Sequence, residues 1–142
     1  MVATTANAPE YADQSARVTL CIPHNPVLDL VARAEKRGQV RGPLQELLGG
    51  SLDEMREVYR QASPFHRAGP DTPPTLFLHG GADTVIPCEQ SVAMHERLLA
   101  LGVHSEIEIW PGKGHGWFNR APDFAAVLER MERFLVERFG VE

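Results

Sequence analysis

The sequence predicts an α/β unit, a three-layer sandwich in which helices cover both faces of a short parallel sheet. Three observations carry this reading. Two short runs, Arg17 to Ile22 and Thr75 to His79, are almost continuously apolar or β-branched, as strands covered on both faces are. A third run, Ser105 to Trp110, alternates Glu106 and Glu108 with Ile107 and Ile109, as a strand with one face nearer solvent would. Helical periodicity separates and follows these runs, and strand–helix alternation is the grammar of a parallel sheet with crossovers.

Each element is bounded by residues that explain where it stops. Pro23 and Pro26 end the first strand, Gly80-Gly81 the second and Pro111-Gly112 the third. Ser51-Leu52-Asp53-Glu54 is a capping-box pattern, and Leu52, Met55, Val58, Tyr59 and Ala62 then recur at helical spacing. Pro87 suits a first helical position, and Gly102 a position just past the last turn of that helix. The last helix places Phe124, Leu128, Met131, Leu135 and Phe139 on one stripe and ends at Gly140. Residues 1 to 5 read as a remnant of a helix. Residues 29 to 50, with Gly38, Gly42, Pro43 and Gly49-Gly50, read as an irregular, lid-like connection. Residues 1–142 read as a single domain, close to the usual ~150 residues.

Composition excludes several classes. Apolar residues make up 43% and charged residues 23%, the balance of a globular chain. A net charge of −5 without a basic block argues against nucleic acid or an anionic membrane as partner. No apolar run reaches the ~18 residues of a membrane span, and residues 1 to 7 lack the pattern of a secretion signal. Cys21 and Cys88 are too few for a disulfide framework or a zinc site. The histidines show no metal-ligand spacing. A cytoplasmic location without metal or organic cofactor is the expectation.

In an open parallel sheet, chemistry collects beyond the carboxyl ends of the strands. His79-Gly80-Gly81-Ala82-Asp83-Thr84-Val85-Ile86-Pro87 follows the second strand, and Pro111-Gly112-Lys113-Gly114-His115-Gly116-Trp117-Phe118 the third. If these strands are neighbours, Asp83 and His115 emerge side by side. A carboxylate beside an imidazole fixes the ring tautomer and stabilises the imidazolium, as a general base requires. Asp83 also suits a loop or helix cap, since a helix follows it.

The stretch from Pro73 to Phe118 resembles the acid-and-histidine half of an α/β-hydrolase, in the esterase/lipase and prolyl-oligopeptidase-like subgroups. His79 to Pro87 is similar to their acid loop, His-Gly-x-x-Asp-x-x-Val-Pro, with Ile86 at the valine position. Gly112 to Phe118 is similar to their histidine loop. Pro23 to Asp29 resembles the segment after the preceding strand, and Ser63-Pro64 the approach to the acid strand. The resemblance implies a partial α/β-hydrolase fold, with Asp83 as the catalytic acid and His115 as the catalytic base. His79-Gly80-Gly81 also resembles an esterase oxyanion loop, but Asp83 and Pro87 follow it in acid-loop register.

The nucleophile is the departure. Ser15, Ser51, Ser63, Ser91 and Ser105 are the serines, and none lies in Gly-x-Ser-x-Gly. The expectation is a truncated hydrolase of the carboxylesterase/lipase type, acting on a small-molecule ester when complete and inactive alone. Its partner would be a second copy, as a homodimer, or a complementing N-terminal half. A non-catalytic oligomeric assembly module and a weak stand-alone hydrolase are the alternatives. Cys88, at a helix start, is a weaker candidate nucleophile because no base lies beside it in sequence. His24, His66, His79, His95 and His104 read as surface or hydrogen-bonded loop residues. Trp110, Trp117 and Phe118 fit either an acyl pocket or the core.

Overall fold

Thr75–Gly80 (β1) is buried at all six of its positions, and the alternation of its side chains explains why the run is continuously apolar. Leu76 and Leu78 point to one face, where they pack with Trp117, Val127 and Phe134. Phe77 points to the other, against Leu28, Ala68, Met94, Leu98 and Val103. The computed structural model describes residues 17–37 and 42–140; the expected helix remnant at residues 1 to 5 lies outside them.

Ser105–Trp110 (β2) pairs in parallel with β1, Thr75 opposite Ser105 through Gly80 opposite Trp110. On the other side of β1 runs the first expected strand, and here the structure differs. No regular strand forms over Arg17 to Ile22. The pairing is carried by two isolated bridges, Cys21 with Thr75 and His24 with Leu78. Pro23 is the physical reason. Cys21 and Asn25 donate to the Pro74 and Leu78 carbonyls, both at 2.9 Å, whereas Pro23, midway between them, has no N–H to give. The order is therefore segment 21–25, β1, β2, with the ladder broken once.

Helices make the outer layers. Leu30–Arg37 (α1), Pro43–Leu48 (α2), Leu52–Ala62 (α3) and Pro64–Arg67 (α4) precede β1, Glu89–Ala100 (α5) joins β1 to β2, and Asp123–Phe139 (α6) follows. Two short helices thus stand where an irregular connection is expected over 29 to 50. Asp29 caps α1, its Oδ1 accepting from the amides of Val31 and Ala32, and α2 starts on Pro43. The capping box of α3 forms as its sequence predicts, Ser51 and Glu54 each bonding the other's backbone amide. α5 begins two residues after Pro87, and Gly102 follows it with φ 74°.

α6 differs from its predicted facing. Val127, Arg130 and Phe134 are its buried residues, while Phe124, Leu128 and Phe139 of the expected stripe are exposed. Arg130 decides the orientation. Its guanidinium bonds Glu106 and Glu108 of β2, the latter at 2.9 Å, so the acidic face of β2 is covered by an ion pair. Among the described residues no helix is long and apolar enough to cross a membrane.

Candidate active site

The ends of β1 and β2 lead into the two loops singled out in the sequence, and a close approach of backbones locks those loops together. A Cβ on Gly80 would lie 2.4 Å from the Lys113 carbonyl oxygen, so only glycine fits without a shift. Gly81 donates to the Trp110 carbonyl at 2.8 Å and Ala82 to the Lys113 carbonyl at 2.9 Å. Gly112 and Gly116, on either side of His115, take φ of 71° and 74°, which L side chains rarely adopt. Lys113 Nζ bonds Asp123 Oδ2 at 2.7 Å, tying the histidine loop to the start of α6.

These restraints bring Asp83 and His115 together. His115 Nδ1 lies 2.8 Å from Asp83 Oδ2. The Asp83 side chain is fully buried, whereas that of His115 is 44% exposed. Asp83 Oδ1 accepts from the amides of Val85 at 2.8 Å and Ile86 at 2.9 Å. Both readings of Asp83 are therefore met at once, one oxygen capping the loop and the other facing the imidazole. Burial alone would push the Asp83 carboxyl up; the Ile86 amide, the His115 imidazole and the Val85 amide outweigh it and hold the group below its ordinary value. With Nδ1 turned to the carboxylate, Nε2 on the far side of the ring is the atom left to take a proton.

The four described serines are committed elsewhere. Ser51 bonds Glu54, Ser63 bridges Leu30 and Tyr59, Ser91 meets His79 and Ser105 meets His95. Ser15 lies outside the described residues. Cys88 is a free, half-buried thiol at the start of α5. Among the described residues no cluster of His, Cys, Asp and Glu has the makings of a metal site. Trp117 is buried and Trp110 packs on it, 4.3 Å between centroids, in the core beside α6. His24, set edge-on to Phe118 at 4.6 Å, is held below its ordinary pKa by burial.

Two residues around the dyad were given no part in the site at the level of sequence. Asn25 is buried and clips Gly80 to the histidine loop. His79, placed at the end of the second expected strand and read also as a surface or hydrogen-bonded loop residue, belongs to β1, has no exposed area and is hydrogen-bonded at both ring nitrogens. Its signal was present: it extends an apolar strand in the face-alternating register of Phe77.

Comparison with known proteins agrees with this fold. The dienelactone hydrolase family model matches residues 59–138, and the BD-FAE model matches residues 2–98. Each covers more than half of the chain. The chain belongs to these α/β-hydrolase families. It is similar to the esterase Est2 of Thermogutta terrifontis, with a TM-score of 0.70 and 28% identity, over 92% of this chain and 46% of that one. It is 42% identical over 69 residues to the esterase LipC of Mycobacterium tuberculosis, covering 47% of this chain and 17% of LipC. It is 29% identical over 89 residues to the isoprenylcysteine alpha-carbonyl methylesterase of Arabidopsis thaliana, covering 61% of this chain and 21% of that protein. This α/β-hydrolase chain thus spans less than half the length of each of these three proteins.

Proposed function

We propose that this chain carries the acid and the base of a carboxylesterase site of Ser-His-Asp type, Asp83 being the acid and His115 the base. The 2.8 Å bond between Asp83 Oδ2 and His115 Nδ1 is the observation that carries the reading. The esterases among its relatives support the reaction class. The nucleophilic serine and the oxyanion donors come from polypeptide outside these 142 residues, since no Gly-x-Ser-x-Gly occurs within them.

The chemistry follows from the atoms. As the serine oxygen attacks the ester carbonyl, His115 Nε2 takes its proton and the Asp83 carboxylate stabilises the imidazolium. Collapse of the tetrahedral intermediate expels the alcohol, which receives that proton from His115. Water, deprotonated in turn by His115, attacks the acyl carbonyl, and the acid departs as the serine oxygen regains that proton from His115. A small carboxylic ester is the substrate class. The partner is a second copy of the chain or a complementing N-terminal half, and two free cysteines suit a reducing compartment such as the cytoplasm.

The purified chain with p-nitrophenyl acetate is the test. Turnover is expected orders of magnitude below the ordinary ~10 s⁻¹, rising when a polypeptide bearing the nucleophile turn is added, and falling again with His115→Ala or Asp83→Asn. Turnover near ~10 s⁻¹ by the chain alone would overturn the placement of the nucleophile. A complemented rate indifferent to both substitutions would overturn the roles of Asp83 and His115.

A further inference from the structure

His79 ends the apolar run of β1 as a buried, hydrogen-bonded imidazole, and the hydrolytic steps make no use of it. Its Nδ1 lies 2.7 Å from Ser91 Oγ of α5, and its Nε2 3.0 Å from the Ile86 carbonyl oxygen. A carbonyl only accepts, so Nε2 carries the proton and Nδ1 accepts from the Ser91 hydroxyl. Ile86 is bonded at both ends, its carbonyl to His79 and its amide to Asp83 Oδ1. The same Nε2 lies 3.4 Å from Asp83 Oδ2, the oxygen that His115 faces. Around the ring, then, stand two acceptors on the Nε2 side and one hydroxyl on the Nδ1 side.

We propose that His79 is a positioning residue for the dyad: held as its Nε2–H tautomer by the Ile86 carbonyl and the Asp83 carboxylate, with Ser91 Oγ seating the opposite edge of the ring, it anchors the Ile86 carbonyl and with it the turn that aims Asp83 at His115. The inference rests on the hydrolase reading and adds a residue to it. The other tautomer would set a ring lone pair against the Ile86 carbonyl and the Asp83 carboxylate, leaving two buried acceptors facing a third. Ser91, on the crossover helix, sets where the ring sits, while its hydroxyl, able to donate or accept, does not choose the tautomer.

NMR on the chain itself tests this without substrate, so ester turnover can fail while the geometry stands, and the reverse. The signals are the downfield Nδ1–H proton of His115 and the titration of the Asp83 carboxyl carbon. His79→Leu keeps bulk and removes both ring nitrogens; it is expected to lose the His115 resonance and to raise the Asp83 midpoint by about half a pH unit or more. His79→Gln keeps an N–H near the Nε2 position and is expected to retain both signals. A folded His79→Leu chain with both signals at their wild-type values overturns the proposal. If that variant does not fold, Ser91→Ala decides, with ¹⁵N shifts reporting the His79 tautomer. The Nε2–H tautomer is expected to persist, with a weakened His115 resonance. A His79 ring protonated at Nδ1 rather than Nε2, or Asp83 and His115 undisturbed, overturns the proposal.

Discussion

The backbone amide of Gly80 donates to Asn25 Oδ1 at 3.0 Å, joining the end of β1 to a side chain 55 residues earlier. In an unbroken parallel ladder that amide would meet a backbone carbonyl. Asn25 has φ 43°, so the chain turns away and the amide of Gly80 is met by a side-chain oxygen. Asn25 Nδ2 donates in turn to the carbonyl of Gly114, the residue before His115, at 3.5 Å. One buried side chain thus connects the acid strand with the histidine loop.

Asn25→Ala should therefore lower stability. It leaves the Gly80 amide buried without an acceptor, which costs about 1–3 kcal/mol, and it forces alanine into a left-handed conformation at about 1–2 kcal/mol more. Urea denaturation should show a lower midpoint at an unchanged slope. A midpoint equal to that of the wild type would mean that the clip carries no stability.

Gly80 and Gly114 predict opposite outcomes for the same substitution. Alanine at Gly80 drives a Cβ to within 2.4 Å of one backbone oxygen and 2.8 Å of another, whereas a Cβ at Gly114 meets nothing within 4 Å. Gly80→Ala should cost about 1–3 kcal/mol, as overpacking does, and displace His115 from Asp83. Gly114→Ala should stay within about 0.5 kcal/mol of the wild type. Thermal unfolding of the pair, with the His115 Nδ1–H resonance, checks both.

Legibility in the sequence followed the range of the forces involved. β1, β2, α3 and the end of α6 were legible because periodicity, a capping box and terminal glycines are local. The Asp83–His115 pairing was legible because each residue sits in a loop after a strand, and parallel neighbours bring such loops to one rim. The bridge-only pairing of segment 21–25 was not, although Pro23 was in view: whether a proline interrupts a ladder depends on which way its missing N–H would point. Asn25 and His79 were missed for a related reason. Their partners, Gly80 and Gly114 for one, Ser91, Ile86 and Asp83 for the other, are set by tertiary placement.

Acid should destabilise the chain in two stages. His24 is held below its ordinary value by burial, so the unfolded chain binds that proton first; its contribution is whole above about pH 6.5 and fades as pH falls toward the folded value. Asp83 and Glu106 are also held below their ordinary values. Burial opposes this in both, outweighed at Asp83 by the Ile86 amide, His115 and the Val85 amide, and at Glu106 by His104 and Arg130. Depressed carboxyls stabilise above about pH 4 and lose that contribution as pH drops through their folded values. Urea midpoints should decline gently below about pH 6.5 and steeply below about pH 4. His24→Gln should remove the first stage and Asp83→Asn should soften the second. A stability flat from pH 7 to pH 3 would contradict all three assignments.

α6 gives the sharpest contrast between two apolar faces of one helix. The expected stripe, Phe124, Leu128, Met131, Leu135 and Phe139, recurs at helical spacing, and so do Val127, Met131 and Phe134, which share Met131 with it and pack on the core. Periodicity alone cannot choose between faces so close around the axis. The choice falls to Arg130, whose two carboxylate partners lie on β2 and turn Phe134 inward, with no exposed surface, while Phe124 and Phe139 stay 56% and 51% exposed. Phe134→Ala should then cost about 3–5 kcal/mol, as deletion of a buried ring does. Phe124→Ala and Phe139→Ala should fall within about 0.5 kcal/mol of the wild type. Denaturation at two protein concentrations makes the result decisive. Should Phe124→Ala cost as much as Phe134→Ala, and the cost grow with concentration, the exposed stripe is covered in solution by a second copy; equal costs at both concentrations would mean that the facing of α6 is wrong.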